Sequence, residues 1–187
     1  MIKLIKELEE NNIILLLVEG IDYSSIVVDM AKQLSKKNVC YITLNKSFPA
    51  LKETFEKKID TSRMVFIDAI SRTISDKPPQ ANNVYYLSSP RALTELSMAI
   101  TKSLRHDFDY IILDSLTNLL IYESKAPVAK FVTNLVTEIK ASKTKAIFYA
   151  LKIDQHQELI QECSMSVDNV IDLTKKRCQK MGESGRG

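Results

Sequence analysis

Chemically useful side chains follow several apolar segments of the sequence, at the points where those segments end. The residues are Gly20, Ser24 and Ser25 in EGIDYSS, Asn45 and Lys46 in TLNKS, and Asp114 and Ser115 in ILDSL. Glycine, hydroxyls and lysine are the groups that bind phosphate in loops, and an aspartate at a strand end can orient magnesium beside a phosphate. Ligands of α/β sheets bind beyond the carboxyl ends of the strands. These residues are therefore the candidates for a site that binds a phosphate-bearing ligand at that edge of the sheet.

The elements that must position these residues alternate between strand and helix. Continuous apolar runs predict buried strands at residues 13–18, 39–44, 63–70, 84–89, 110–113, 146–151 and 167–173. Helical spacing of apolar residues predicts helices at residues 2–10, from Tyr23 or Ser24 to 34, and at 48–58, 90–104, 128–141 and 156–163. The alternation predicts an α/β fold of three layers, in which a mostly parallel central sheet has helices on both faces.

Composition limits the class of protein. A chain of 187 residues, with 45% hydrophobic and 26% charged residues, has the length of one ordinary domain. The sequence shows neither a membrane-spanning stretch nor a signal peptide, which predicts a cytoplasmic location. The three widely spaced cysteines predict neither a disulfide framework nor a zinc site. The formal charge of +3 makes a nucleic-acid partner possible but does not favour one.

From about residue 13 to residue 173 the chain resembles the RecA-like domain of KaiC-type ATPases, especially compact archaeal relatives. The resemblance rests on the order and spacing of LLLVEGIDYSS, VCYITLNKSFPALKETF, FIDAIS, YIILDSLTNLL, KFVTNLVTEIKA, KAIFYAL and VDNVIDL. It implies one RecA-like domain over residues 1–174, including an N-terminal helix within residues 1–12, and a flexible basic tail at 175–187. It also implies a Walker B role for Asp114 and nucleotide binding at subunit boundaries in rings or filaments.

The chain departs from the family pattern at two positions that matter for ATP hydrolysis. Its first loop keeps Gly20 alone, Ser24 falls where the phosphate-binding lysine belongs, and Ser25 falls where the magnesium-binding hydroxyl belongs. Asn45 follows the second strand where the family has an acidic residue, and an amide cannot accept a proton as a carboxylate does. Asp114 is then expected to have a structural role, hydrogen-bonded to the N-terminus of the first main helix.

These departures lead to one hypothesis and two alternatives. We expect a non-catalytic RecA-like module, a pseudo-ATPase without a cofactor, that acts in protein assembly or regulation. One alternative is a divergent ATPase that binds ATP and magnesium through Ser25 and Asp114, with Lys46 or a partner's lysine on the phosphate. The other is a nucleic-acid-binding protein that resembles a recombination mediator and has no ATPase activity of its own.

The resemblance also indicates the kind of partner. A family that assembles side by side implies a homo-oligomer, or a hetero-assembly with a catalytically active RecA-like relative. Two segments are expected to make such contacts: the helix Ile2–Glu10, and the polar segment 71–83, SRTISDKPPQANN, which contains Pro78 and Pro79 and is predicted to be an exposed excursion.

Overall fold

A computed structural model describes residues 2–56 and 58–174, apart from the side chains of residues 2–5 and 56. The predicted tail at 175–187 lies outside the described residues. The helices are α1 (Ile2–Glu10), α2 (Gly20–Gln33), α3 (Phe48–Glu56), α4 (Ser71–Ile74), α5 (Leu93–Ser103), α6 (Leu119–Tyr122), α7 (Lys125–Lys140) and α8 (Gln157–Ser164). The strands are β1 (Ile13–Val18), β2 (Val39–Thr43), β3 (Met64–Asp68), β4 (Val84–Tyr86), β5 (Tyr110–Asp114), β6 (Lys145–Leu151) and β7 (Asn169–Asp172). Short 3₁₀ helices cover Leu116–Asn118 and Asp154–His156.

The described strands form one parallel sheet in the order β4-β3-β2-β5-β6-β1-β7. Parallel neighbours require crossover connections, and the helices between the strands supply them. Because all strands point the same way, the residues that follow them meet at one edge of the sheet, called here the carboxyl edge. The turns that precede the strands form the opposite, amino edge.

The sheet is buried on both faces, as the apolar strand sequences predict. Along β1, Ile13, Leu15 and Leu17 pack in the cluster that contains residues of α5, α7 and α8, while Ile14, Leu16 and Val18 pack with residues of α1, α2 and α3. This alternation follows from the period of two in a strand, which sends successive side chains to opposite faces. The three-layer α/β architecture expected from the sequence is confirmed.

The start of α2 differs from the sequence-based prediction. The helix was expected to begin at Tyr23 or Ser24, after a loop. In the structure it begins at Gly20, and Glu19 is the extended N-cap residue, without a side-chain cap hydrogen bond. Only Glu19 separates β1 from α2. The physical reason is that Asp22 lies in the first helical turn, where a negative charge suits the helix dipole, so no loop is required.

Other boundaries also shift. The helix predicted at 90–104 begins instead at Leu93, because the backbone of Ala92 is not yet helical. The segment 71–83, expected to be an exposed excursion, begins with the helical turn of α4. Its start is fixed by Asp68, whose carboxylate accepts hydrogen bonds from the backbone N–H groups of Ile70 and Ser71. The short helix α6 was not predicted.

The N-terminal helix is attached to the domain at its C-terminal end. Leu8 is buried in the cluster beneath α2 and α3, and the Lys145 ammonium donates to the carbonyls of Leu8 and Glu9 at 2.9 and 2.5 Å. Asn169 donates from its amide to the Glu7 carboxylate. These contacts show that the end of α1 completes the fold. Among the described residues, no helix has the length and apolar character needed to cross a membrane.

Candidate functional site

Three buried polar residues end neighbouring strands at the carboxyl edge. Thr43 ends β2 and is paired in register with Asp68 on β3 and with Asp114 on β5. All three are buried although their side chains are polar or charged. Buried polar groups need hydrogen-bond partners, so the partners of each residue indicate what that residue does.

The side chain of Asp68 binds backbone N–H groups of two connections. Its carboxylate accepts the N–H groups of Phe48 at 2.6 Å, Ile70 at 2.7 Å and Ser71 at 2.8 Å, and also the Ser71 hydroxyl. These bonds join the first residue of α3 and the first residue of α4 to the end of β3. Asp68 therefore organises two connections at the carboxyl edge.

Asp114 is enclosed by two tyrosines. The Tyr23 hydroxyl donates to Oδ1 of Asp114, and the Tyr41 hydroxyl donates to Oδ2. Tyr23 comes from the first turn of α2, and Tyr41 from the adjacent strand β2. The carboxylate is 1% exposed. The expected link between Asp114 and the start of α2 thus exists, but its donor is the Tyr23 side chain.

A third tyrosine completes the enclosure. Tyr149 lies on β6 on the other side of β5, and its ring meets that of Tyr23 edge-on, with centroids 6.0 Å apart. Its hydroxyl is buried and has no hydrogen-bond partner among the described residues. Phenol rings from α2, β2 and β6 therefore occupy the space around Asp114, here called the tyrosine cage (Tyr23, Tyr41 and Tyr149).

Burial is the largest influence on the pKa values of Asp114 and of the three cage tyrosines. It raises the pKa of Asp114 above its usual value, although the hydrogen bonds from Tyr23 and Tyr41 and the charge of Lys46 act in the opposite direction. Burial, reinforced by the nearby Asp114 carboxylate, also raises the pKa values of Tyr23, Tyr41 and Tyr149. The phenols therefore stay protonated and remain donors over the physiological pH range.

The remaining predicted site residues do not converge on Asp114. Ser24 and Ser25 are exposed on α2, and the Ser25 hydroxyl donates to the carbonyl of Asp22 at 2.8 Å. Gly20 is the first residue of α2, and a Cβ there would meet nothing within 4 Å, so no close approach requires glycine. The two residues proposed as magnesium ligands have other partners in this arrangement. Both carboxylate oxygens of Asp114 accept tyrosine hydroxyls, and the Ser25 hydroxyl donates to the backbone of its own helix.

Lys46 approaches α2 from the turn that follows β2. The Lys46 backbone N–H donates to the Thr43 hydroxyl at 3.2 Å, which fixes the turn after β2. The Lys46 ammonium lies 3.4 Å from the Ser24 hydroxyl. Asn45 is half-buried on the same turn. The structure thus brings Lys46 and Ser24 together on the surface, outside the tyrosine cage.

Ser115 belongs to a hydrogen-bond network that ties strand ends together. Its hydroxyl donates to the side-chain oxygen of Asn118 at 3.2 Å, and the Asn118 amide donates to the Leu44 carbonyl. The hydroxyl of Thr117 accepts the N–H of Leu151. The segment after β5 therefore connects the ends of β2 and β6.

The residues that the sequence did not reveal are the three tyrosines of the cage. Tyr41 and Tyr149 were interpreted only as parts of apolar strands. A partial signal was present for Tyr41, because a tyrosine in a fully buried strand usually needs a partner for its hydroxyl. That Asp114 is this partner follows only from the sheet order, which places β5 beside β2.

The carboxyl edge also exposes large apolar side chains. These are Ile21 in α2, Ile74 in α4, Ile121 in α6 and Ile153 after β6, and between 44% and 77% of each is exposed. They follow β1, β3, β5 and β6. Since β3 and β1 are four strand spacings apart, these isoleucines are distributed across roughly 19 Å of the sheet width. They are called here the edge isoleucines.

The comparisons with known proteins identify the fold. No protein-family model matches the chain, and no curated protein matches it. The KaiC-like protein PH0186 from the hyperthermophilic archaeon Pyrococcus horikoshii OT3 has a similar crystal structure, with a TM-score of 0.60. The similarity covers 89% of this chain and 73% of that chain, at 10% sequence identity. The chain therefore has a RecA-like fold of the KaiC type, as the motif order indicated.

Proposed function

We propose that this chain is a non-catalytic RecA-like module, a pseudo-ATPase that acts in protein assembly or regulation and needs no cofactor. The observation on which the proposal rests is the enclosure of Asp114. In RecA-like ATPases this position orients magnesium, whereas here both carboxylate oxygens accept tyrosine hydroxyls. Tyr23, which makes one of these bonds, lies in the segment where the family has its phosphate loop.

Two further features support the absence of catalysis. The connection between β1 and α2 is one residue long, whereas a phosphate-binding loop needs several successive N–H groups that converge on an anion. Asn45 follows β2, where an amide cannot serve as a general base. These features concern different elements, and both point away from ATP hydrolysis.

A second candidate function is ATP binding at a divergent site. The observation in its favour is the approach of the Lys46 ammonium to the Ser24 hydroxyl, which could face a phosphate from the surface of α2. For Ser25 and Asp114 to share magnesium as well, Tyr23 would have to leave the cage. This function therefore requires a rearrangement that the proposed pseudo-ATPase does not.

The edge isoleucines support a role in assembly. They lie at the sheet edge where an α/β enzyme binds its substrate, and each adds apolar surface that an interface could remove from water. Ile74 also belongs to the segment 71–83, one of the two segments that we expected to contact partners. We propose a second copy of this chain as the first partner to test, with a catalytically active RecA-like relative as the other.

The test replaces two edge isoleucines with aspartate. Burying one isoleucine at an interface contributes about 1.5 to 3 kcal/mol, so Ile74→Asp with Ile121→Asp is expected to weaken self-association at least about tenfold. Sedimentation over a range of protein concentrations measures this change. Met165→Asp is the matched control, because Met165 is 82% exposed but follows α8 at the amino edge. A wild-type protein that is monomeric throughout, or equal losses in both variants, would contradict association through the carboxyl edge.

A further inference from the structure

A concave surface lies at the amino edge, the edge of the sheet opposite the tyrosine cage. It is a cleft of about 600 Å³ lined by Lys37, residues 104–110 and residues 141–145. These residues belong to the turns that precede β2, β5 and β6, which are neighbours in the sheet. Three adjacent turns therefore form one cleft, called here the amino-edge cleft.

Each of the three turns contributes a cation to this cleft. Lys37, Arg105 and Lys143 are all exposed, and Lys36 and Lys102 lie beside them in sequence. Within residues 2–56 and 58–174, the ion pairs of the structure involve other cations, and these five charged groups have no hydrogen-bond partner there. Their charges are thus available to a ligand.

The acids in the cleft offset its cations only in part. Its lining holds two acids, Asp107 and Asp109, and four basic residues, Lys37, Arg105, Lys143 and Lys145. Asp109 accepts the backbone N–H of Asn38 at 2.8 Å and holds the turn before β2, and Asp107 is exposed. Lys145 adds a further charge, but its ammonium is engaged with carbonyls of α1. The cleft and its border keep a positive excess, although the whole chain has a formal charge of only +3.

We propose that the amino-edge cleft binds the phosphate backbone of single-stranded nucleic acid. Unpaired lysine and arginine side chains on three turns can neutralise successive phosphates, which is the main source of affinity for nucleic acids. The cleft is concave, so a single flexible strand can enter it, whereas a flat membrane surface would touch only its rim. The overall charge did not favour this partner, because most of the acids that balance the cations lie outside the cleft.

The test compares two triple variants of the full chain. Lys37→Ala, Arg105→Ala and Lys143→Ala together remove one cation from each turn. Lys32→Ala, Lys77→Ala and Lys130→Ala remove the same charge from exposed positions outside the cleft. Fluorescence anisotropy with labelled single-stranded DNA and with RNA of the same sequence, each of about 20 nucleotides, measures binding at several salt concentrations. Vesicles of anionic phospholipid provide the alternative ligand.

We expect the wild-type protein to bind at least one oligonucleotide, and the cleft variant to bind at least about tenfold more weakly. The slope of the logarithm of the binding constant against log salt is negative. Its magnitude should be smaller by about 2 in the cleft variant, since each of the three lost phosphate contacts on a single strand accounts for about 0.7. The control variant should show nearly the same salt dependence as the wild-type protein. The oligonucleotide that binds more tightly identifies DNA or RNA as the ligand. The proposal is overturned by equal losses in both variants, by binding to neither oligonucleotide, or by binding to vesicles alone.

Discussion

Replacing Asp68 with alanine is expected to lower the free energy of unfolding by at least about 3 kcal/mol, because three buried N–H groups lose their acceptor and each costs about 1 to 3 kcal/mol. These groups belong to Phe48, Ile70 and Ser71. Without the carboxylate, the starts of α3 and α4 are no longer held to the end of β3. Urea unfolding followed by circular dichroism measures the change.

Asp60 supplies the matched control for this prediction. It is an exposed aspartate whose carboxylate also accepts a backbone N–H, that of Ser62 at 2.9 Å. Asp60→Ala exposes the freed N–H to water, so its cost should stay within about 1 kcal/mol. If Asp68→Ala cost no more than Asp60→Ala, the carboxylate of Asp68 would not organise the connections at the carboxyl edge.

The second large effect is expected in the tyrosine cage. Tyr23→Phe and Tyr41→Phe each remove a hydroxyl that donates to the buried Asp114 carboxylate, and each should cost about 1.5 to 3 kcal/mol, the range for hydrogen bonds to charged groups. Tyr149→Phe is the matched control, since its hydroxyl is equally buried but has no partner among the described residues. That substitution should be neutral or slightly stabilising. Equal costs for all three variants would contradict the hydrogen-bonding pattern of the cage.

The cost of Tyr41→Phe should also depend on pH. Burial raises the pKa of Asp114 in the folded protein, so this residue favours folding most at a pH below its unfolded pKa, and the contribution is lost as the pH rises through the folded pKa. The Tyr41 hydroxyl opposes this rise, and its removal raises the folded pKa further. The loss of stability then continues to a higher pH. The penalty of Tyr41→Phe should therefore grow from acid to neutral pH, and a penalty independent of pH would contradict a charged Asp114.

The fold was predictable from local patterns. The apolar runs at residues 13–18 and 146–151 correspond closely to β1 and β6. A strand that is buried on both faces needs apolar side chains at nearly every position, so its sequence is easily identified. The structural role of Asp68 could also be inferred, since a strand-end aspartate commonly accepts N–H groups of the following turn. Such features depend on neighbours in sequence, which is why a single sequence could reveal them.

The candidate site was less predictable, because its contacts join distant parts of the chain. Tyr23 was expected only near the start of the helix after β1, and its partner Asp114 lies 91 residues away. The start of α2 was also misplaced, since glycine and aspartate are typical turn residues and aspartate also suits a first helical turn. The cations of the amino-edge cleft looked like separate surface residues until the sheet order brought their turns together.

Thermal unfolding of the purified protein, with and without magnesium and ATP at about millimolar concentration, tests the pseudo-ATPase proposal most directly. A ligand that binds only the folded state at about 100 times its Kd stabilises it by about 2.7 kcal/mol, which would raise the melting temperature by several degrees. Magnesium alone serves as the reference. We expect ATP with magnesium to leave the melting temperature unchanged, because Tyr23 and Tyr41 occupy the oxygens of Asp114. A rise of several degrees that Asp114→Ala abolishes would contradict this expectation and establish a nucleotide site.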